Sequence, residues 1–175
     1  MSYEPTRIVE IALSTPPRCL AGFEVEPMKE PFPVERVLDE VAFFHVRCPC
    51  GSASLRILGY PNDLVAGYLL CPISAQCSLC GKVIPLFDAQ EHGYDGEFGY
   101  PGYSVRGRGE PRQYECSQCS GVTFKAYPTF YFQMYEPDIT PQEWTHIQDF
   151  FDCFVLTVRC DHCEVLSDAV EYECA

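Results

Sequence analysis

Eight of the twelve cysteines in this 175-residue chain fall into four tight pairs, so any fold it adopts must place those pairs where their thiols can be used. The pairs read Arg47-Cys48-Pro49-Cys50-Gly51, Gln76-Cys77-Ser78-Leu79-Cys80-Gly81, Glu115-Cys116-Ser117-Gln118-Cys119-Ser120 and Arg159-Cys160-Asp161-His162-Cys163-Glu164. Three are Cys-x-x-Cys and one is Cys-x-Cys. A Cys-x-x-Cys turn sets two thiolates on one side of a tight loop with later backbone amides turned toward sulfur, which is half of a tetrahedral metal site. Glycine after the second cysteine suits a turn that needs positive φ. Gly51 and Gly81 stand there, whereas Ser120 and Glu164 hold the equivalent place in the later pairs.

Half-sites have to be combined, and the simplest scheme joins neighbours. Cys48, Cys50, Cys77 and Cys80 then hold one ion, and Cys116, Cys119, Cys160 and Cys163 hold a second. The intervening stretches are 26 and 40 residues (77 − 50 − 1 and 160 − 119 − 1), room in each case for a few short strands. Disulfides would require an oxidising compartment, and the start of the chain, Met1 to Glu10, has no basic segment, apolar stretch or cleavage site of a secretory signal. A redox Cys-x-x-Cys normally opens a helix after a βαβ-type strand, and none of these pairs does. Four thiolates bind zinc and ferric iron in the same geometry, so zinc is the default and iron stays open.

Knuckles of Cys-Pro-x-Cys-Gly character at hairpin tips resemble the zinc ribbon superfamily, closely over Phe44 to Leu86 and more loosely over Tyr114 to Tyr172; residues 1–40 fall outside the likeness. The resemblance implies a mainly β, small α+β fold of two zinc-ribbon-like hairpin modules with one or two short helices, and it maps two structural Zn2+ ions onto the eight cysteines named above. The divisions that follow are an N-terminal arm with a short helix or strand (1–42), a first module (43–100) and a second (101–175). Cys48-Pro49-Cys50 departs from the pattern, being one residue short, which leaves Cys71 or His45 open as a substitute ligand. Zinc ribbons serve many roles, so the likeness implies no single activity.

Composition narrows the classes. With 47% apolar residues and 24 aromatics (12 Phe, 11 Tyr, 1 Trp) the chain has ample material for a packed core, and no apolar run approaches the roughly 18 residues of a membrane span. The expected compartment is cytoplasmic. Lys plus Arg number 12 against 25 Asp plus Glu, a net charge of −13 that argues against a general polyanion binder. Residues 116–175 alone carry ten acids and two bases, a net −8. Each four-thiolate zinc site adds 2 − 4 = −2, which would take the chain to about −17.

Local patterns predict the remaining elements. Arg7 to Leu13 reads as a strand, followed by a proline-rich track (Pro16, Pro17, Pro27, Pro31, Pro33) that resists regular structure and suggests an arm lying across the body. Val34, Val37, Leu38 and Val41 have helical spacing behind Pro33. Phe43–Arg47 and Ser54–Leu58 flank the first knuckle, and Lys82–Asp88 leaves the second. The glycine-rich stretch from Phe87 to Tyr103 reads as a linker. Val122–Tyr127 and Thr129–Tyr135 read as two strands broken at Pro128. Thr140-Pro141-Gln142-Glu143 is a capping box opening a helix to about Asp149, and Phe154–Arg159 and Glu164–Glu173 flank the last knuckle.

Three other groupings compete for function. Asp88, His92, Asp95 and Glu97 could do acid–base or hydrolytic chemistry, although a solvated acidic turn has the same composition. Arg106, Arg108 and Arg112 could contact phosphate, although acids flank them. The aromatics Phe124, Tyr127, Phe130, Tyr131, Phe132 and Tyr135 could stack bases, but without interleaved cations they read as core. His162 is expected to face solvent, and Cys153 to be a buried small hydrophobe. Four protein thiolates leave no open coordination position, so the metal reads as structural and the activity as binding: a protein-interaction module, in its specific form an immunity or inhibitor protein masking a basic partner. Nucleic-acid binding through the arginines and hydrolysis through His92 are the alternatives.

Overall fold

The computed structural model describes residues 6–28, 40–63, 65–92, 106–133 and 136–173. Within them the chain is mainly β, a curled antiparallel sheet with one substantial helix and short helical turns. The strands are β1 (Glu24–Pro27), β2 (Val41–Arg47), β3 (Leu55–Pro61), β4 (Leu69–Cys77), β5 (Val83–Phe87), β6 (Arg112–Gln113), β7 (Phe124–Tyr131), β8 (Cys153–Cys160) and β9 (Leu166–Glu173). One path through the sheet runs β1-β2-β7-β3-β4-β5; β6 adds to β3, β8 to β7 and β9 to β8. The strands that flank the first two knuckles therefore pair with those that flank the last two, β2 along β7 and β3 against β6 and the start of β7.

Alternation decides which side chains go inside. Along β4, Leu69, Cys71, Ile73, Ala75 and Cys77 are buried while Leu70, Pro72, Ser74 and Gln76 are half-exposed, the period of two expected of a strand covered on one face. Six phenylalanines, Phe44, Phe87, Phe124, Phe130, Phe132 and Phe154, are fully buried. Phe87 of β5 stacks on Phe154 of β8 with centroids 4.0 Å apart, and Phe130 meets Phe151 edge-on at 4.8 Å. The curl also brings β9 over β4, where the Cys71 amide donates to the Tyr172 hydroxyl at 2.8 Å.

Several local expectations change. Arg7–Ser14 is an α-helix (α1), not a strand. Its N-cap Thr6 accepts from the Val9 amide at 3.4 Å, and Ile8, Val9 and Ala12 are buried along one face, so β-branched content misleads where cap and spacing decide. The proline-rich track is not wholly irregular, because Glu24–Pro27 forms β1 on β2. The helix expected behind Pro33 lies outside the described residues except for Val41, which opens β2. Most of the glycine-rich linker, with Asp95 and Glu97, also lies outside them, as does Tyr135.

Pro128 does not break its strand: β7 runs continuously from Phe124 to Tyr131 and pairs with β8 throughout. Toward β2 the same register holds on either side of Pro128, with Val46↔Ala126 before it and Phe43↔Thr129 after it, and the ladder skips the positions between. The missing proline donor is accommodated in that gap. The capping box at Thr140 forms as expected, with the Glu143 amide donating to Thr140 Oγ1 at 3.3 Å and the Thr140 amide to Glu143 Oε2 at 2.7 Å. The helix it opens (α2) spans only Pro141–Trp144, and a separate 3-10 turn covers Ile147–Asp149. Trp144 instead serves the N-terminal helix, its ring lying 4.5 Å from the Arg7 guanidinium. Phe124, Tyr127, Phe130, Tyr131 and Phe132 are buried, so the aromatic run is core.

Phe87 fastens one edge of the curled sheet to the other. Phe87→Ala is expected to cost about 3–5 kcal/mol in urea unfolding, and Phe87→Leu clearly less.

Candidate metal centres

Each knuckle is a reversal between two strands, closed by the same pair of backbone hydrogen bonds. At the second knuckle the Gly81 amide donates to the Cys77 carbonyl at 3.0 Å and the Cys77 amide to the Lys82 carbonyl at 2.9 Å. The third repeats this with Ser120 to Cys116 and Cys116 to Gly121, and the fourth with Glu164 to Cys160 and Cys160 to Val165. In the first, the Gly51 amide reaches Cys48 at 2.8 Å and the Cys48 amide reaches Ser52 at 2.9 Å. Every partner there is one position earlier. The short Cys-Pro-Cys spacing is thus absorbed inside the turn without disturbing the strands around it.

The residue after the second cysteine is left-handed in all four knuckles: Gly51 at φ 88°, Gly81 at 74°, Ser120 at 56° and Glu164 at 60°. Serine and glutamate hold a conformation that costs an L-residue roughly 1 kcal/mol. The turn geometry therefore outranks the residue preference, and the two knuckles without glycine are built like the others.

The sulfurs converge as neighbour pairing predicts. Cys48, Cys50, Cys77 and Cys80 form one tetrad and Cys116, Cys119, Cys160 and Cys163 another, with the sulfurs of each within 4.8 Å of one another. Across the knuckles, Cys48 Sγ lies 3.6 Å from Cys80 Sγ and Cys50 Sγ 3.5 Å from Cys77 Sγ. In the second tetrad, Cys116 to Cys163 and Cys119 to Cys160 are both 3.5 Å. Disulfides need about 2.05 Å, whereas a tetrahedron with metal–sulfur bonds of about 2.3 Å has edges of about 3.8 Å. The donor sets fit a thiolate-bound metal ion. Neither substitute ligand joins them: Cys71 is buried against Tyr172, and the His45 ring stacks on Tyr127 at a centroid distance of 5.1 Å.

Backbone amides favour the ionised form of these sulfurs. Cys50 receives the Ser52 amide, Cys119 the Gly121 amide and Cys163 the Val165 amide, each two residues on, although burial and neighbouring thiols outweigh these amides and push all three up, Cys119 to about 12. Gly121 has a further constraint, since a side chain there would meet the sulfurs of Cys160 and Cys119 at 3.0 and 3.2 Å. Four thiols so close cannot all ionise without a cation among them. Burial opposes ionisation of Cys77, yet the Cys80 and Leu79 amides and the neighbouring thiols outweigh it and bring its pKa to about 6. Cys116 likewise falls to about 7. The Cys50 amide acts in the same sense on Cys48, but burial and its thiol neighbours push that group up to about 12. One sulfur of the tetrad gains charge at the expense of the next, which is the imbalance a dication removes.

Both tetrads sit at one end of the sheet. Cys77, Leu55, Phe124 and Cys160 are cross-strand neighbours in a single row over β4, β3, β7 and β8. Three interstrand steps separate the tetrads by about 14 Å along that row.

The rival groupings are placed differently. The Asp88 carboxylate is paired with the Arg106 guanidinium, which also donates to Gln90 Oε1 at 3.2 Å. His92 Nδ1 accepts from the Asp88 amide at 3.1 Å, and burial holds its pKa below the usual value. Arg106 is thus tied to the turn by its ion pair, and Arg106, Arg108 and Arg112 are all exposed. His162 is exposed, as expected, and Cys153 is half-exposed, not buried as predicted, because it lies on the sheet's second face beside Val41, Phe43, Tyr131 and Val155. Ser54 touches two other knuckles, and no sequence motif signals it. No helix among the described residues is long and apolar enough to cross a membrane. Comparison with family models, curated proteins and solved structures finds no match for this chain.

The knuckle conformations make a signed prediction. Glu164→Gly and Ser120→Gly should each raise stability by about 0.5–1 kcal/mol. Nothing lies within 4 Å of a Cβ at Gly81, so Gly81→Ala isolates the backbone effect and should lower stability by about 1 kcal/mol. Thermal melts of the metal-loaded protein check both signs.

Proposed function

We propose that this chain is a zinc-stabilised, non-catalytic protein-interaction module of the zinc ribbon kind, with two structural ions and an acidic surface that docks on a basic partner. The convergence of eight sulfurs into two tetrads carries the reading. Four protein thiolates fill a tetrahedral ion's coordination shell, leaving no position for water or substrate, so the metal's work is to hold hairpins together.

Charge supports the binding half of the proposal. At a net −13 before metal, and about −17 with two four-thiolate zinc sites, the protein repels polyanions and attracts cationic surfaces. Exposed Asp161 and Glu164 on the fourth knuckle and Asp168 and Glu173 on β9 contribute to the acidic C-terminal half. An immunity or inhibitor protein that masks a basic toxin or nuclease is the specific form this chemistry suits. Nucleic-acid binding through Arg106, Arg108 and Arg112 is less well supported, because Arg106 is already paired with Asp88.

Metal counting on variants tests the ligand sets. The wild-type chain should hold two zinc ions, Cys50→Ser one, and Cys71→Ser two; retention of both by Cys50→Ser would contradict the first tetrad. For the partner, association with a lysine-rich basic protein should weaken by about tenfold or more between 50 and 300 mM salt. Salt-independent association would remove the electrostatic reading.

A further inference from the structure

The four knuckles are joined to one another by hydrogen bonds that none of the metal ligands makes. Ser54 lies just beyond the first knuckle, its amide directed at Ser52 Oγ at 3.3 Å. Its carbonyl accepts from both the amide and the hydroxyl of Ser78, at 3.1 and 2.9 Å, inside the second knuckle. Its own hydroxyl donates to Asp161 Oδ2 at 2.6 Å, inside the fourth. The Asp161 amide in turn donates at 3.0 Å to the carbonyl of Thr123, on the chain leaving the third. One serine and one aspartate therefore connect the half-sites of both tetrads.

Each connected residue is placed by a ligand. Ser78 lies between Cys77 and Cys80, and Asp161 between Cys160 and Cys163, so neither can hold its position unless its knuckle is closed. Ser54 has the same dependence through Cys50, four residues earlier. The backbone beneath is continuous too, because Leu55, next to Ser54, pairs with Cys77 on one side and with Phe124, the neighbour of Cys160, on the other. Closing one tetrad sets the Ser54 hydroxyl and the Asp161 carboxylate in the geometry that the other needs when closed.

We propose that Ser54 and Asp161 couple the two metal centres, so that filling either tetrad raises the affinity of the other. The coupling rests on the reading that both tetrads bind metal, and it assigns to these two residues a positioning role. By linkage the effect is reciprocal, and removing the hydroxyl contact weakens it in both directions.

Native mass spectrometry of the full chain at buffered free Zn2+ reads the populations holding no, one and two ions. The wild type should pass from none to two with the one-ion form depleted. Ser54→Ala should raise the one-ion fraction several-fold at half-saturation, corresponding to loss of a coupling factor of about five or more. Ser54→Thr, which keeps the hydroxyl, should behave as wild type, and Asp161→Ala as Ser54→Ala. A second arm separates coupling from local damage. In a Cys116→Ser/Cys160→Ser background, which removes the second site, Ser54→Ala should change the first site's Zn2+ affinity by less than about twofold.

Identical ion distributions for wild type and Ser54→Ala would overturn the coupling while leaving both metal sites standing, and this comparison needs only the intact-site chains. The same loss of affinity in the single-site background would make Ser54 a local support of the first tetrad and overturn the coupling as well. A wild-type chain that binds no Zn2+ would overturn the metal reading itself.

Discussion

Four thiolates cannot share one corner of a protein without a cation among them, and this chain gathers eight cysteine sulfurs into two such corners. The hairpin reversals that carry the cysteines are too short to close on an apolar core of their own. Backbone amides nevertheless point at Cys50, Cys119 and Cys163, an arrangement that favours thiolate and fits a cation held among the sulfurs. A metal ion held there would close this end of the sheet. The other end is closed differently, by phenylalanines stacked across the curl, Phe87 on Phe154 and Phe130 against Phe151.

Most of the two tetrads was legible in the cysteine spacing. Three Cys-x-x-Cys pairs and a Cys-x-Cys specify half-sites, and joining neighbours predicts the tetrads whose sulfurs converge. What spacing could not show is how a shortened knuckle remains compatible with the rest. The answer is backbone registration: shifting each closing partner by one residue keeps β2 and β3 in place, so neither His45 nor Cys71 joins the sulfurs of the tetrad. Nor does residue preference reveal that Ser120 and Glu164 adopt the left-handed conformation of Gly51 and Gly81. There the knuckle turn dictates φ, and the side chain tolerates it.

The less legible parts have physical reasons of the same kind. Arg7–Ser14 is rich in β-branched residues, but Thr6 caps it and its apolar positions share one helical face, so packing and capping override propensity. Pro128 reads as a break only when a strand's two edges are assumed equivalent; its missing donor coincides with a gap in the ladder toward β2, while pairing toward β8 is unbroken. Ser54 and Asp161 carry no motif, since their roles arise from strands distant in sequence meeting in one row. Such contacts are invisible to any reading that proceeds one hairpin at a time.

X-ray absorption at the zinc edge of the purified, chelator-free protein tests the central claim most directly. The account predicts a first shell of four sulfurs per zinc at about 2.3 Å and no nitrogen or oxygen neighbour. A shell containing imidazole nitrogen or water oxygen, or a protein purified under these conditions without bound zinc, would contradict it.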